Sequence, residues 1–65
     1  MKRYTLTSPD QAQLAEFEVY DEEELVVIEM YQLNAEGQME CIAEFELSLK
    51  TGRQEYSRLT KQGYQ

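Results

Sequence analysis

The chain has 65 residues, a length that fits one small domain and leaves little material for a deep pocket. Thirteen acidic and six basic residues give a net charge of −7, which opposes direct binding to nucleic acid or to an anionic membrane. No apolar run approaches the ~18 residues of a membrane span and no signal sequence opens the chain, so we expect a soluble, cytoplasmic protein without a membrane partner.

Charge is distributed unevenly along the chain. Residues 21–47 contain nine acidic residues and no basic residue, whereas residues 48–65 contain four basic residues and one acidic residue. The acidic middle segment should attract a basic protein surface, and its field should repel phosphate backbones.

Four β-strands are predicted, the first, second and fourth from a period-two alternation of apolar and polar residues and the third from its richness in Val, Ile and Tyr. They cover residues 3–7, 14–20, 24–33 and 38–47. Between the first two strands, Ser8 and Pro9 suit either a turn or the start of a helix, and the sequence leaves both alternatives open. The acidic run at residues 21–24 is interpreted as a solvated turn. Gly37 fits the positive-φ position of a four-residue loop at 34–37.

The period changes after residue 47. Thr51 and Gln54 have the spacing of a capping box, and Gly63 is a stop signal. These features predict a helix over residues 51–62, with Ser48 as an alternative start. The sequence therefore predicts a single α+β domain over residues 1–65, a four-stranded antiparallel β-meander with one C-terminal α-helix packed on one face.

The predicted loop lengths set the strand registers, and all three registers place the apolar side chains on one face, which supports them. The numbers of opposed residues then sum to 21 between the first two strands, to 45 between the second and third, and to 71 between the third and fourth. The last register places Met30 opposite Cys41 and Val26 opposite Phe45. The helix would cover this inner face with Leu49, Tyr56, Leu59 and Tyr64.

The same registers define an outer face on which carboxylates and apolar side chains are mixed. Its candidate partner-binding residues are Glu16, Glu18, Val27, Glu29, Tyr31, Glu40, Ile42, Glu44 and Glu46. Apolar residues rimmed by charge of one sign are typical of an interaction surface. Scattered exposed apolar residues are also normal on a sheet that has no partner, so both interpretations stay open.

Residue types that most catalytic and metal sites need are missing or isolated. The chain has no histidine, no glycine-rich phosphate loop and no cysteine cluster for zinc. Cys41 has no imidazole to activate it and is predicted to be a small buried thiol. We therefore expect no enzyme activity, no cofactor and no metal.

One preferred function and two alternatives follow. We prefer a non-enzymatic interaction module that docks a basic partner protein through the outer face, with the glutamates steering and Val27, Tyr31 and Ile42 anchoring. The first alternative is a phage-type inhibitor that mimics nucleic acid, since carboxylates at i and i+2 on a strand lie ~6.6 Å apart. The second is a structural homodimer formed through the edge of the first or fourth strand.

Overall fold

The computed structural model describes residues 1–65 and contains the predicted α+β meander. Four antiparallel strands form one open sheet in the order β1-β2-β3-β4, and a helix follows them. The elements are β1 (Lys2–Thr7), β2 (Gln13–Tyr20), β3 (Leu25–Leu33), β4 (Met39–Ser48) and α1 (Leu49–Lys61). The helix has 13 residues and is too short and too polar to cross a membrane.

Both predicted registers that involve β2 are confirmed. Leu6 lies opposite Ala15, and Phe17 lies opposite Ile28. Each buried side chain of the size of Phe17 or Ile28 stabilises the fold by about 1.5–3 kcal/mol. The buried core consists of Leu6, Ala15, Phe17, Val26, Ile28 and Leu59, with the predicted helix residues Leu49, Tyr56 and Tyr64 packed against it.

The predicted register between β3 and β4 is wrong. Leu33 lies opposite Met39, so the loop has five residues instead of four, and Asn34 closes it by donating its N–H to the Gln38 carbonyl over 2.8 Å. A β-bulge follows in which Ile42 is the extra residue of β4. The predicted positive φ of Gly37 is confirmed, at 79°.

The longer loop and the bulge each shift the register of β4 by one residue. After the bulge, the side chains of β4 therefore point to the predicted sides of the sheet. Phe45 lies opposite Ile28 and not opposite Val26, but it keeps the predicted inner side because the total displacement is two residues. Without the bulge, Phe45 and Leu47 would point away from the helix. The bulge therefore returns the apolar residues of β4 to the face that α1 covers.

Between the loop and the bulge, residues 39–41 of β4 point to the side of the sheet opposite to the predicted one. Cys41 lies opposite Tyr31 on the outer side and is exposed, so the prediction of a buried thiol opposite Met30 is wrong. Glu40 lies opposite Gln32, which places it on the inner side.

The helix begins directly after β4, at the alternative start and not at residue 51. Ser48 is the N-cap, and its Oγ accepts a hydrogen bond from the Thr51 N–H at 3.2 Å. The predicted stop is confirmed, because Gly63 has a φ of 95° and the Tyr64 N–H returns to the Leu59 carbonyl at 3.1 Å.

Close approach of α1 to the sheet depends on Gly52. A Cβ at this position would lie 2.6 Å from Cγ2 and 2.7 Å from Cβ of Val26. One turn later, the Tyr56 ring packs edge-on against Phe17 and Tyr4, with centroid distances of 5.3 and 6.1 Å. These contacts fix α1 on the inner face and leave the outer face uncovered.

Residues 8–12 form a turn, which decides between the two alternatives left open by the sequence. The buried Ser8 hydroxyl donates to Asp10 Oδ1 at 2.7 Å and accepts the Gln13 N–H at 3.0 Å. Asp10 Oδ1 also accepts the Ala12 N–H at 3.0 Å. The hydrogen bond from Ser8, followed by that from Ala12, lowers the pKa of Asp10.

Candidate functional site

The uncovered side of the sheet carries two rows of residues that run across all four strands. The first row is Thr5, Glu16, Glu29 and Glu44, and the second is Arg3, Glu18, Val27 and Glu46. Directly opposed residues have Cβ atoms about 4.5–5.5 Å apart, so the carboxylates within a row are close neighbours. We name the five glutamates of these rows, residues 16, 18, 29, 44 and 46, the acidic face.

Arg3 offsets one of the two negative charges of the acidic face that lie over β2. Its Nε lies 3.0 Å from Glu16 Oε1, and its Nη2 lies 2.8 Å from Glu18 Oε2. The hydrogen bond with Glu18 and the charge of Glu16 raise the pKa of Arg3. Carboxylate oxygens of Glu16, Glu18 and Glu29 lie within 4.8 Å of one another, a spacing that suits a cation. The guanidinium of Arg3 is a cation that already pairs with Glu16 and Glu18.

The remaining glutamates of the acidic face have no cationic partner in the chain. Glu29, Glu44 and Glu46 take part in no ion pair; Glu44 and Glu46 are exposed, and Glu29 is half-buried. The Tyr31 hydroxyl donates a hydrogen bond of 3.3 Å to Glu29 Oε2. Partial burial and the charge of Glu29 raise the pKa of Tyr31. Uncompensated negative charge is therefore concentrated over β3 and β4.

The structure brings together seven of the nine predicted site residues on the outer face. They are Glu16, Glu18, Val27, Glu29, Tyr31, Glu44 and Glu46. The predicted places of the other two are wrong: Glu40 lies on the inner side opposite Gln32, and Ile42 is the unpaired bulge residue, 55% exposed. The five-residue loop places Glu40 on the inner side, and the bulge removes Ile42 from the rows of the acidic face.

Exposed apolar side chains around β4 form a feature that the alternation pattern missed. Phe45 is 49% exposed despite its inner position, and Leu33 and Met39 are 45% and 41% exposed. The run Cys41–Ala43 departs from alternation at the bulge, but β3 contains the longer non-polar run Leu25–Ile28 without a bulge, so the sequence holds no signal that identifies the bulge.

Two other surfaces of the molecule are a groove and a basic helix side. An open groove of about 320 Å³ lies between α1 and the sheet, walled by apolar residues such as Tyr4, Phe17 and Tyr56. The exposed side of α1 carries Lys50, Arg53, Arg58 and Lys61. Every buried side-chain nitrogen or oxygen has a hydrogen-bond partner, so neither surface holds a buried polar group that awaits a ligand.

The acidic run at residues 21–24 forms an exposed turn, as predicted. Its Glu24 N–H donates to the Asp21 carbonyl at 3.2 Å, and Glu24 has a φ of 53°. Lys2 lies 4.0 Å from Asp21. All four side chains are exposed and none belongs to the acidic face.

Comparison of the chain with protein-family models, curated proteins and solved structures finds no match. Its function must therefore be inferred from its own geometry and charge.

Proposed function

We propose that the protein is a small, non-enzymatic interaction module whose acidic face docks a basic surface of a partner protein. The observation that carries this proposal is the group of three carboxylates at Glu29, Glu44 and Glu46, which lie together on an uncovered sheet face without a cation from the chain. A cytoplasmic location stays a prediction.

The arrangement of the acidic face has a cost that a basic partner would offset. Glu29 lies between Glu16 and Glu44 in its row, and directly opposed like charges destabilise a sheet by roughly 0.2–1 kcal/mol per pair. Lys or Arg side chains of a partner would turn this repulsion into attraction. Val27 and Tyr31 lie among the carboxylates and would supply apolar contact area at the centre of the interface.

Mimicry of nucleic acid has less support as an alternative. Val27 interrupts the second row, and Arg3 pairs with Glu16 and Glu18 and offsets one of their two charges, so the negative charge does not form the continuous track that a phosphate backbone presents. Competition between the protein and DNA for one target would favour mimicry, and simultaneous binding of both would exclude it.

The test uses tagged protein to capture partners from cell lysate at low salt. The face variant carries Glu29→Lys and Glu44→Lys. A control variant with Glu22→Lys and Glu23→Lys makes the same change in net charge in the exposed turn. We expect a protein retained by the wild type and by the control and lost by the face variant.

The captured protein is then purified and its association with the wild type is measured directly. Steering by the acidic face predicts that the association rate constant falls steeply as salt rises from about 0.05 to 0.3 M, because screening shortens the range of the field. Equal capture by the face and control variants contradicts the proposal, and so does an association rate that does not change with salt.

A further inference from the structure

The hydrogen-bond ladder shows which backbone groups at the sheet edges lack partners. In an antiparallel pair, successive residues of a strand bond alternately to the neighbour on one side and the neighbour on the other. The Leu33 N–H donates to the Ala12 carbonyl at 2.8 Å, so the odd-numbered residues of β3 bond toward β2. The Ser8 N–H bond to the Gln13 carbonyl, at 2.9 Å, continues the same alternation between β2 and β1.

The even-numbered residues of β3 therefore bond toward β4. Their partners beyond the bulge are Ala43, Phe45 and Leu47. Glu44 and Glu46, which alternate with them, direct their N–H and C=O groups away from the sheet, and no turn, cap or loop bonds to these groups. The outer edge of β4 is thus an unpaired strand edge at the point where the acidic face ends.

The other edge of the sheet is more protected. Gln65 pairs with Thr7 of β1 in both directions, with N–H to carbonyl distances of 2.7 and 2.9 Å. Arg3 also holds its charged side chain against the outer face through its bonds to Glu16 and Glu18. Charged side chains and bulges also protect edge strands, and β4 has Glu44, Glu46 and the bulge at Ile42, so the two edges differ in the paired segment. On β4 no segment covers Glu44 and Glu46.

Side chains along the β4 edge specify what could pair with it. Glu44 and Glu46 lie on the outer side, and Phe45 between them lies on the inner side with about half of its surface exposed. An incoming strand would meet a carboxylate, an aromatic ring and a second carboxylate in turn. The complementary pattern is basic, apolar, basic.

We propose that the free edge of β4 accepts an extended peptide segment as a fifth, antiparallel strand, with Lys or Arg opposite Glu44 and Glu46 and an apolar residue opposite Phe45. Main-chain hydrogen bonds would provide attachment and the alternate side chains would provide selectivity. This inference rests on the proposed function and states how the basic partner docks.

A second copy of the chain fits this edge poorly. Two β4 strands paired through their free residues bring glutamate opposite glutamate, which is unfavourable. The β1 edge of a second copy offers only Arg3 and Thr5, since Gln65 occupies Thr7. Each copy also carries a charge of −7. The charges therefore favour a foreign basic segment.

The test uses a fluorescein-labelled peptide of sequence Lys-Val-Lys-Val-Lys and two N-methylated forms of it. Residues directly opposite Glu44 and Glu46 exchange both backbone hydrogen bonds with them, so the lysine amides should bond to β4 and the valine amides should face solvent. We expect N-methylation of the lysine amides to weaken binding at least about tenfold, and N-methylation of the valine amides to change it by less than about twofold. Equal binding of the two methylated forms, or no binding of the parent peptide, overturns strand addition.

Two further arms separate this inference from the proposed function. Equal binding of both methylated peptides that is lost in the Glu29→Lys, Glu44→Lys variant overturns strand addition and supports docking on the acidic face. Binding that depends neither on methylation nor on that variant contradicts both. Sedimentation of the protein alone as a dimer, with the Glu44 and Glu46 amides protected from hydrogen exchange, would place a second copy on the edge and overturn the inference.

Discussion

Glu29 occupies the least favourable position of the acidic face, so removing its charge should stabilise the fold. It lies opposite Glu16 on one side and Glu44 on the other. Replacement by glutamine keeps the side-chain length and an oxygen that can accept the Tyr31 hydroxyl hydrogen bond, which is 3.3 Å long. Glu29→Gln therefore changes the charge with little change in packing.

The size of the effect follows from the spacing of the carboxylates. Oxygens of Glu16 and Glu29 lie within 4.8 Å, a separation at which two unit charges repel by about 0.9 kcal/mol in water. Arg3 offsets part of the repulsion from Glu16, whereas Glu44 has no cationic partner. We expect Glu29→Gln to raise the free energy of unfolding by about 0.5–1 kcal/mol, which for a domain of this size raises Tm by roughly 2–8 °C.

Urea unfolding followed by circular dichroism measures this change. Glu22→Gln, in the exposed turn, is the matched control and should leave the free energy of unfolding within about 0.3 kcal/mol of the wild type. Salt should shrink the advantage of Glu29→Gln, because at ~1 M salt the screening length falls to about 3 Å. A destabilised Glu29→Gln variant, or a stabilisation that salt leaves unchanged, would refute repulsion within the row.

Three further changes test the fold. Gly52→Ala should lower the free energy of unfolding by roughly 1–2 kcal/mol in urea titrations, because a new Cβ would lie 2.7 Å from the Cβ of Val26. This overpacking should outweigh the better helix propensity of alanine. An equally stable variant would contradict the close approach of α1 to the sheet. Ser48→Ala should cost about 1 kcal/mol by the same measurement through loss of the N-cap, and no change would mean that the cap is dispensable. Since its pKa is lowered, Asp10 stabilises the fold above its unfolded-state pKa of about 4 and loses this effect as pH falls below it. Thermal unfolding at several pH values should therefore show Asp10→Asn less stable than the wild type near neutrality and equal to it in acid, and a constant difference would argue against this linkage.

Most of the fold could be predicted because the first two strands alternate apolar and polar residues and the third is rich in β-branched residues. Phe17 and Ile28 lie opposite each other on the inner face of adjacent strands, and a shift of one residue in either strand would expose them. The helix start was harder to predict, since Ser48 and Thr51 are both acceptable caps. Ser48 is the cap in the structure because β4 runs directly into α1 with no loop between them.

The β4 register could not be obtained by counting loop residues. Gln38 is the fifth residue of the loop, held there by the hydrogen bond from the Asn34 N–H to its carbonyl, and the bulge at Ile42 adds a second shift. The face of Glu44 and Glu46 was nevertheless predicted correctly, because a total shift of two residues leaves each side chain on the same side of the sheet. Glu40, between the loop and the bulge, experiences only one shift and lies on the opposite side from the prediction.

The role of Arg3 in the acidic face was only partly evident from the sequence. Its position opposite Glu18 follows from the register, but its second bond, to Glu16, depends on the side-chain conformation. The register therefore indicates one pair between Arg3 and the acidic face, whereas in the structure Arg3 contacts two glutamates and the uncompensated charge lies toward β3 and β4.

The most direct test of docking on the acidic face is a nuclear magnetic resonance titration of the protein with the Lys-Val-Lys-Val-Lys peptide at low salt. The turn at residues 21–24 provides an internal comparison, because it holds four exposed acidic side chains outside the acidic face. We predict that amide shifts concentrate at Val27, Glu29, Glu44 and Glu46. Shifts that concentrate in the turn, or that spread over every acidic segment, would show that the peptide follows charge density alone and would contradict a defined site on the acidic face.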